Sequence, residues 1–397
     1  MRNSRKYGYK SSYGSNYRRS SYGSYGGYGK RKSSGLKIIP IILLCVFVLA
    51  GAAAAAAYAG LFGDSFRLGA PAQESSQNIT EEKSTSEKSE SQSAAPKKEP
   101  EGKWEENVFI YDKNGFEPFS ASDSTAKDYA GCVNKISKEL GSDVNVYCML
   151  APSHSFTGLP DKYKNIGSDE KKSIEKTYSM LDKNVKSIDV CAALEKHRNE
   201  YIYFATDTNW TALGAYYAYR QFCDAADMDA VDIKTLPSGK IEGFRGSLHA
   251  ATITDEKPGG SEVLDQNPDT VVYYKTEGYC RLLESGESED REVPMIAEFA
   301  SGSNAYSAFI WGNNPYMKIE TSAGSGRKLC IIKDSFGCAF APFTAAGFDQ
   351  VFIADPAYYE GNIIDFIKEN KYTDVLILNS SSTANTAGRV DELKTII

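Results

Sequence analysis

Two short polar segments, each reached from an apolar run, carry the residue types for acyl chemistry. The first is Leu329-Cys330-Ile331-Ile332-Lys333-Asp334-Ser335-Phe336-Gly337, where a strand-like run enters a polar turn and then a helix. A serine at such a turn projects from the carboxyl edge of a sheet, beside helix N-terminal amides that can stabilise an oxyanion. That is the arrangement of a nucleophile elbow without the GxSxG string. Ser335 equally suits a helix N-cap. The second segment is Phe204-Ala205-Thr206-Asp207-Thr208-Asn209-Trp210-Thr211. It puts Asp207 where an orienting carboxylate would stand. The plain alternative is a loop in which Thr211 caps the following helix.

A serine nucleophile needs a base to take its proton. The chain has three histidines, at 154, 197 and 249. His154, in Ala151-Pro152-Ser153-His154, follows an apolar run and falls at the same carboxyl edge. It is the candidate substitute base for Ser335, against the alternative of a solvated loop histidine. His249 is a second candidate. His197 stands between Lys196 and Arg198 at a helix end, where cations are favoured, and reads as a surface residue. No HExxH or CxxC string occurs, so no metal and no cofactor is expected. Trp210, Trp311, Tyr358 and Tyr359 offer aromatic faces to a sugar, and Asn313, Asn314 and Asn379 offer amides. The same residue types also serve as ordinary core and loop residues.

The elements that must position these groups alternate along residues 104–397. Apolar periodicity and breaker residues predict helices over 124–140, 171–183, 211–225, 339–346 and 361–370. Strands are expected over 144–150, 201–204, 328–333, 350–354 and 374–378, with an irregular or β-rich insertion at 255–305. Strands such as Leu329-Cys330-Ile331-Ile332 are apolar throughout, so both faces must be covered. That describes an α/β fold with a mostly parallel sheet between helical layers, whose ligands bind at the carboxyl ends of the strands.

Taken in order, four motifs resemble a known family. They are Thr206-Asp207-Thr208-Asn209-Trp210-Thr211-Ala212-Leu213-Gly214-Ala215, then Gly312-Asn313, then Lys333-Asp334-Ser335, then Asp355-Pro356-Ala357-Tyr358-Tyr359. The set resembles the DHHW family, related to the SGNH-hydrolase-like domains of alginate O-acetyltransferases. The resemblance implies a three-layer α/β/α sandwich and, in active relatives, acetyl transfer or ester hydrolysis on extracellular polysaccharide. It implies Ser335 as nucleophile, Asp207 as the acid of an Asp-x-His pair, and Asn313 as an oxyanion amide. Asn209, Trp210, Asn313 and Tyr358 are then expected to face substrate. Two positions depart from the family pattern. Asn209 stands where the catalytic histidine is expected, and an amide has no basic nitrogen. Ala357 stands where an arginine usually follows Asp-Pro.

The chain has 397 residues and a formal charge of −7. Residues 1–37 hold ten Lys/Arg and no Asp/Glu; the remainder holds 35 bases against 52 acids. An acidic domain repels phosphates, which argues against nucleic-acid binding by the main domain. The basic tail repeats Ser-Tyr-Gly and has no apolar periodicity, so it is expected to be disordered. It sets topology and attracts anionic lipid, or else self-associates or binds RNA through its tyrosines and arginines.

Residues 38–63 are 26 consecutive uncharged positions, long enough to cross a bilayer. The cations before them predict a cytoplasmic N-terminus and an extracytoplasmic main domain. The alternative is a signal peptide cleaved near Ala57-Tyr58-Ala59. Residues 64–103, rich in serine and mixed charge, are expected to form a flexible stalk. These features predict a single-pass cell-membrane protein, and the family resemblance implies that its domain faces cell-envelope polysaccharide. The centre is degenerate, or works through His154, or belongs to a scaffold or glycan-binding module. A transferase would need an acetyl donor delivered across the membrane by a multi-span partner; a hydrolase would not. Seven of the eight cysteines lie outside the anchor, an odd number that cannot all pair within one chain.

Overall fold

The computed structural model describes residues 100–397. The tail, the membrane-anchor reading and nearly all of the stalk lie outside the described residues. Thirteen strands are labelled here in chain order. The first three form a small antiparallel meander: β1 (Lys103–Glu105), β2 (Val108–Tyr111) and β3 (Asn114–Phe116). The strands β4 (Asn145–Ala151) and β5 (Val185–Ile188) belong to the main sheet. A separate antiparallel pair is made by β6 (Ser238–Phe244) and β7 (Asp269–Tyr274). The rest complete the main sheet: β8 (Tyr279–Leu283), β9 (Arg291–Val293), β10 (Tyr316–Glu320), β11 (Lys328–Lys333), β12 (Gln350–Ala354) and β13 (Asp374–Ser380).

The main sheet has eight strands in the order β5-β4-β13-β11-β12-β10-β8-β9. The run from β5 to β12 is parallel, and the β10, β8 and β9 edge is antiparallel. Part of the 255–305 insertion thus extends the sheet rather than standing outside it.

Strand periodicity explains why the central strands are apolar at every position. Tyr147, Met149, Leu329, Ile331, Val351, Ile353, Leu376 and Leu378 point into one core. There they meet the helices Ala212–Ala226 and Phe336–Thr344. The alternate residues Val146, Cys148, Leu150, Cys330, Ile332, Phe352, Val375 and Ile377 point into the other. That core is closed by the helices Asp123–Leu140, Ile363–Glu369 and Ala387–Thr395. Each strand therefore buries both faces, which is what a sheet between two helical layers demands. All seven cysteines among the described residues are free and buried.

The expected strand at 201–204 does not join the sheet; only an isolated bridge, Tyr203 to Trp210, forms there. The reason lies in its hydrogen bonds. The Asp269 carboxylate accepts the Ala205 and Thr206 N–H groups at 2.9 and 2.7 Å, so the chain curls at that point. Phe204 and Thr211 then donate back to Asn209 and Ile202 within the same loop. The expected helix at 171–183 is shorter, Glu170–Tyr178.

Candidate active site

Ser335 lies just past the carboxyl end of β11, at the start of the Phe336–Thr344 helix. Its neighbour Asp334 pins the turn. One Asp334 oxygen accepts the Phe336 N–H at 3.0 Å; the other accepts the Ser380 N–H at 2.7 Å and the Thr383 hydroxyl at 2.8 Å. Burial pushes the Asp334 carboxyl up, against these hydrogen bonds. Asp334 thus does the capping and ties β11 to the end of β13. Ser335 makes no side-chain cap bond, so the N-cap reading does not describe it. Its carbonyl accepts the Tyr306 hydroxyl at 2.8 Å. Its own hydroxyl donates to Asn209 Oδ1 at 2.9 Å.

The Asp207 loop is brought there by Trp210. The Trp210 indole N–H donates to the Phe336 carbonyl at 2.9 Å, and the two rings meet edge-on at 5.2 Å. Trp210 is fully buried. It is therefore not a face for sugar stacking, contrary to the expectation from its residue type. An aromatic group of that size buries its surface where it can, and here it joins two segments far apart in sequence.

Asp207 is also buried, with three donors on its carboxylate. Oδ1 accepts the Asn209 N–H at 2.9 Å and the Asn209 Nδ2 at 2.7 Å; Oδ2 accepts the Ser247 N–H at 2.8 Å. Gly246 packs so close that an added Cβ would lie 2.3 Å from Asp207 Cβ. Ser335, Asn209 and Asp207 therefore form one line of hydrogen bonds: hydroxyl to amide oxygen, amide nitrogen to carboxylate. The line has the shape of a Ser-His-Asp relay with an amide in the middle. The Asp207 acceptor fixes the amide so that oxygen, not nitrogen, faces the serine. The amide orders the hydroxyl but cannot take its proton.

The substitute base is not in place. His154 stacks on Tyr203 with ring centroids 5.2 Å apart and lies 4.6 Å from the Phe116 ring. It has no hydrogen bond to Ser335, whose hydroxyl is engaged by Asn209. Burial holds the imidazole down at about 4, against a backbone bond to Phe204 that favours the charged form. The ring is held by its aromatic neighbours Phe116 and Tyr203. His249 is buried behind the Asp207 loop: its N–H donates to the Thr206 carbonyl at 3.1 Å, and its Nε2 lies 3.2 Å from the Gly259 carbonyl. His197 stacks on Tyr217 at 3.7 Å and bonds Glu200 at the surface.

Asn313 is exposed and adjoins the site. Its Oδ1 accepts from Lys333 Nζ at 2.8 Å and from the Cys338 thiol at 3.3 Å. The chain reaches it through Ile310, Trp311 and Gly312, with φ of 48°, 65° and 80°. Positive φ at a β-branched residue costs about 1–3 kcal/mol and is characteristic of functional loops. Trp311 carries the Arg291 guanidinium over its ring at 4.7 Å. Tyr358 is exposed on the loop after β12, its N–H donating to the Asp355 carbonyl. Tyr359 packs against the core at Phe352, and Asn379 is buried under the Tyr129 hydroxyl. The Ala357 N–H donates to Asp355 Oδ1 at 3.1 Å.

Gly246, Ser247, Asp269 and Tyr306 carry the site and were not legible in the sequence. Ser247 acts through its N–H and Gly246 through close approach, while the Asp269 carboxylate and the Tyr306 hydroxyl act on main-chain groups far away in the sequence, which leaves no local signature. The one available hint was Gly246, in a tight Arg245-Gly246-Ser247 string.

A family model for the DHHW protein matches residues 86–354. A solved DHHW family protein from Eubacterium siraeum is 32% identical, covering 74% of this chain and 96% of that one, with a TM-score of 0.67. Bacillus cereus PatB1 with a sulfonyl adduct is 16% identical, covering 75% of this chain and 100% of that one, with a TM-score of 0.60. The O-acetyltransferase domain of Pseudomonas putida AlgJ is 12% identical, covering 74% of this chain and 97% of that one, with a TM-score of 0.39. No curated protein sequence matches. The family match spans more than half of the chain, so the chain belongs to the DHHW family.

Proposed function

We propose that this DHHW-family chain is a membrane-tethered, extracytoplasmic domain that engages acylated cell-envelope polysaccharide through a serine centre in which an amide replaces the imidazole. The observation that carries this reading is the 2.9 Å bond from the Ser335 hydroxyl to Asn209 Oδ1, with Asn209 Nδ2 held on Asp207 at 2.7 Å. In a working relay the serine oxygen attacks the acyl carbon while its proton moves to an imidazole, which later gives it to the leaving alcohol. Asn209 offers no such acceptor. Removing the base of a serine relay alone costs about 10⁶ in turnover.

Two donors beside the serine support the reading of an acyl-binding centre. Neither the Ser335 N–H nor Asn313 Nδ2 has a hydrogen-bond partner among the described residues, so both are available to a carbonyl oxygen. The sulfonyl adduct of Bacillus cereus PatB1 is in keeping with a nucleophilic centre in a protein of this fold. Membrane tethering and the outward location rest on the uncharged run at 38–63 and the cations before it. The active-enzyme reading, with His154 as base, has no hydrogen bond to support it. A transferase would further require a multi-span partner to deliver the acetyl group; the binding reading requires none.

The test compares the purified chain with its Asn209→His variant on 4-nitrophenyl acetate and on an O-acetylated polysaccharide. The reading expects glycan binding with near-background turnover in the native chain, and a gain in the variant that Ser335→Ala removes. Brisk Ser335-dependent turnover by the native chain would sink it.

A further inference from the structure

The side chain of Lys333 ends in a nearly closed polar pocket. It is 2% exposed, and its Nζ lies 3.0 Å from Asp355 Oδ2 and 2.8 Å from Asn313 Oδ1. Burial alone would draw its proton off. The Asp355 carboxylate outweighs that and holds the ammonium charged above the ordinary lysine range. The Cys338 thiol reaches the same Asn313 Oδ1 at 3.3 Å. Both groups facing this end of the Asn313 amide are donors. An NH₂ turned toward an ammonium and a thiol would find no strong acceptor there, so the oxygen must face inward and Nδ2 outward.

We propose that Lys333 is the positioning residue of the oxyanion amide: its ammonium, anchored on Asp355, fixes the Asn313 carboxamide with Nδ2 turned out toward an acyl oxygen at Ser335. This rests on the reading of Ser335 as an acyl-binding centre, and names the residue that prepares it. Lys333 ends the same strand that delivers Ser335 two residues later, so one element sets both the nucleophile and the amide that answers it. The ammonium also draws electron density through the carbonyl and strengthens both Nδ2 hydrogens as donors. The left-handed run Ile310–Gly312 brings Asn313 to the lysine, and the lysine fixes which way its amide faces.

Lysine alone cannot be removed cleanly, because Asp355 would be left buried and unpaired. The test therefore uses Lys333→Met with Asp355→Asn, which removes both charges. Two readouts separate this proposal from the functional reading. In the native background, the Asn313 side-chain amide resonances, assigned by their loss in Asn313→Asp, are expected to shift and broaden as the carboxamide is freed. In the Asn209→His background, kcat on 4-nitrophenyl acetate is expected to fall by about 10- to 100-fold with KM changed less than about threefold, short of the ~10²–10³-fold for outright loss of an oxyanion donor, because the freed amide still samples the donating orientation. Unchanged Asn313 resonances overturn the Lys333 role whether or not Asn209→His turns over. A shifted resonance with no turnover in any Asn209→His chain supports Lys333 and counts against the functional reading.

Should the double variant fail to fold, Asn313→Asp carries the test with the buried pair intact. Its carboxylate takes the same bond from Lys333. It is expected to melt no lower than its parent and, in the Asn209→His background, to lose turnover. A melting temperature several degrees lower would overturn the proposal.

Discussion

The indole N–H of Trp210 donates to the main-chain carbonyl of Phe336 at 2.9 Å. That bond brings the loop holding Asp207 and Asn209 onto the helix that begins beside Ser335. A residue whose type suggests sugar stacking is instead the joint between the two halves of the site. Trp210→Phe keeps most of the packing and loses the donor; a cost of about 1 kcal/mol is expected. Trp210→Ala leaves a large cavity and is expected to cost about 3–5 kcal/mol. Urea unfolding of the two variants checks this. A cost near zero for Trp210→Ala would mean that the loop is held elsewhere.

Gly246 is required for its lack of a side chain. A methyl there would lie 2.3 Å from Asp207 Cβ and 2.4 Å from Asp207 Oδ2, so the carboxylate must shift. Gly246→Ala is expected to cost about 1–3 kcal/mol through overpacking. In the Asn209→His background it is also expected to lower turnover by about 10²-fold, because a displaced Asp207 misaims the imidazole. Stability and turnover measured on the same preparation test both. Retained turnover would show that the loop absorbs the methyl without moving Asp207.

His154 makes stability depend on pH. Its folded pKa is about 4 because burial disfavours the charged ring, whereas the unfolded value is near 6.5. Between those values the unfolded chain binds the extra proton. The contribution is therefore complete above about pH 6.5 and is lost progressively as pH falls toward 4. Between pH 7 and pH 4.5 the stability at stake is about 2–3 kcal/mol. Glu170 and Asp269, pushed up chiefly by burial, act in the opposite direction. They are common to the native chain and to His154→Phe, so the difference between the two isolates the imidazole. Denaturation at pH 7 and pH 4.5 should show a smaller loss in His154→Phe. An equal loss in both would contradict the burial account.

The elements legible in the sequence are those whose neighbours lie close in the chain or whose surroundings are uniform. The strands Lys328–Lys333 and Gln350–Ala354 coincide with expectation, because runs apolar at every position between polar turns have few other uses. The helix Ala212–Ala226 was legible through its Thr211 cap, whose hydroxyl accepts the Gly214 N–H. The 201–204 segment reads as strand by composition but is claimed by the Asp269 carboxylate, 63 residues away from Thr206. His154 follows β4, where the sequence puts it, but its ring packs on Phe116 and Tyr203, contacts that the sequence does not reveal, and makes no hydrogen bond to Ser335. Ser335 capping its own helix was plausible by residue type; Asp334 does that work instead, because its carboxylate also reaches β13. Long-range main-chain contacts leave no pattern in a single sequence.

The central claim is that the centre is complete except for a proton acceptor at residue 209. The most direct measurement is the rate of 4-nitrophenyl acetate hydrolysis by the native chain and by Asn209→His, each with and without Ser335→Ala. The amide now spans Ser335 Oγ at 2.9 Å and Asp207 Oδ1 at 2.7 Å, a gap that an imidazole can bridge with one nitrogen to each. The account predicts near-background hydrolysis by the native chain and a rise of at least about 10²-fold in Asn209→His, the lower range for a positioned base, abolished by Ser335→Ala. No rise in a folded Asn209→His chain, or Ser335-dependent turnover in the native chain equal to that of the variant, would contradict it.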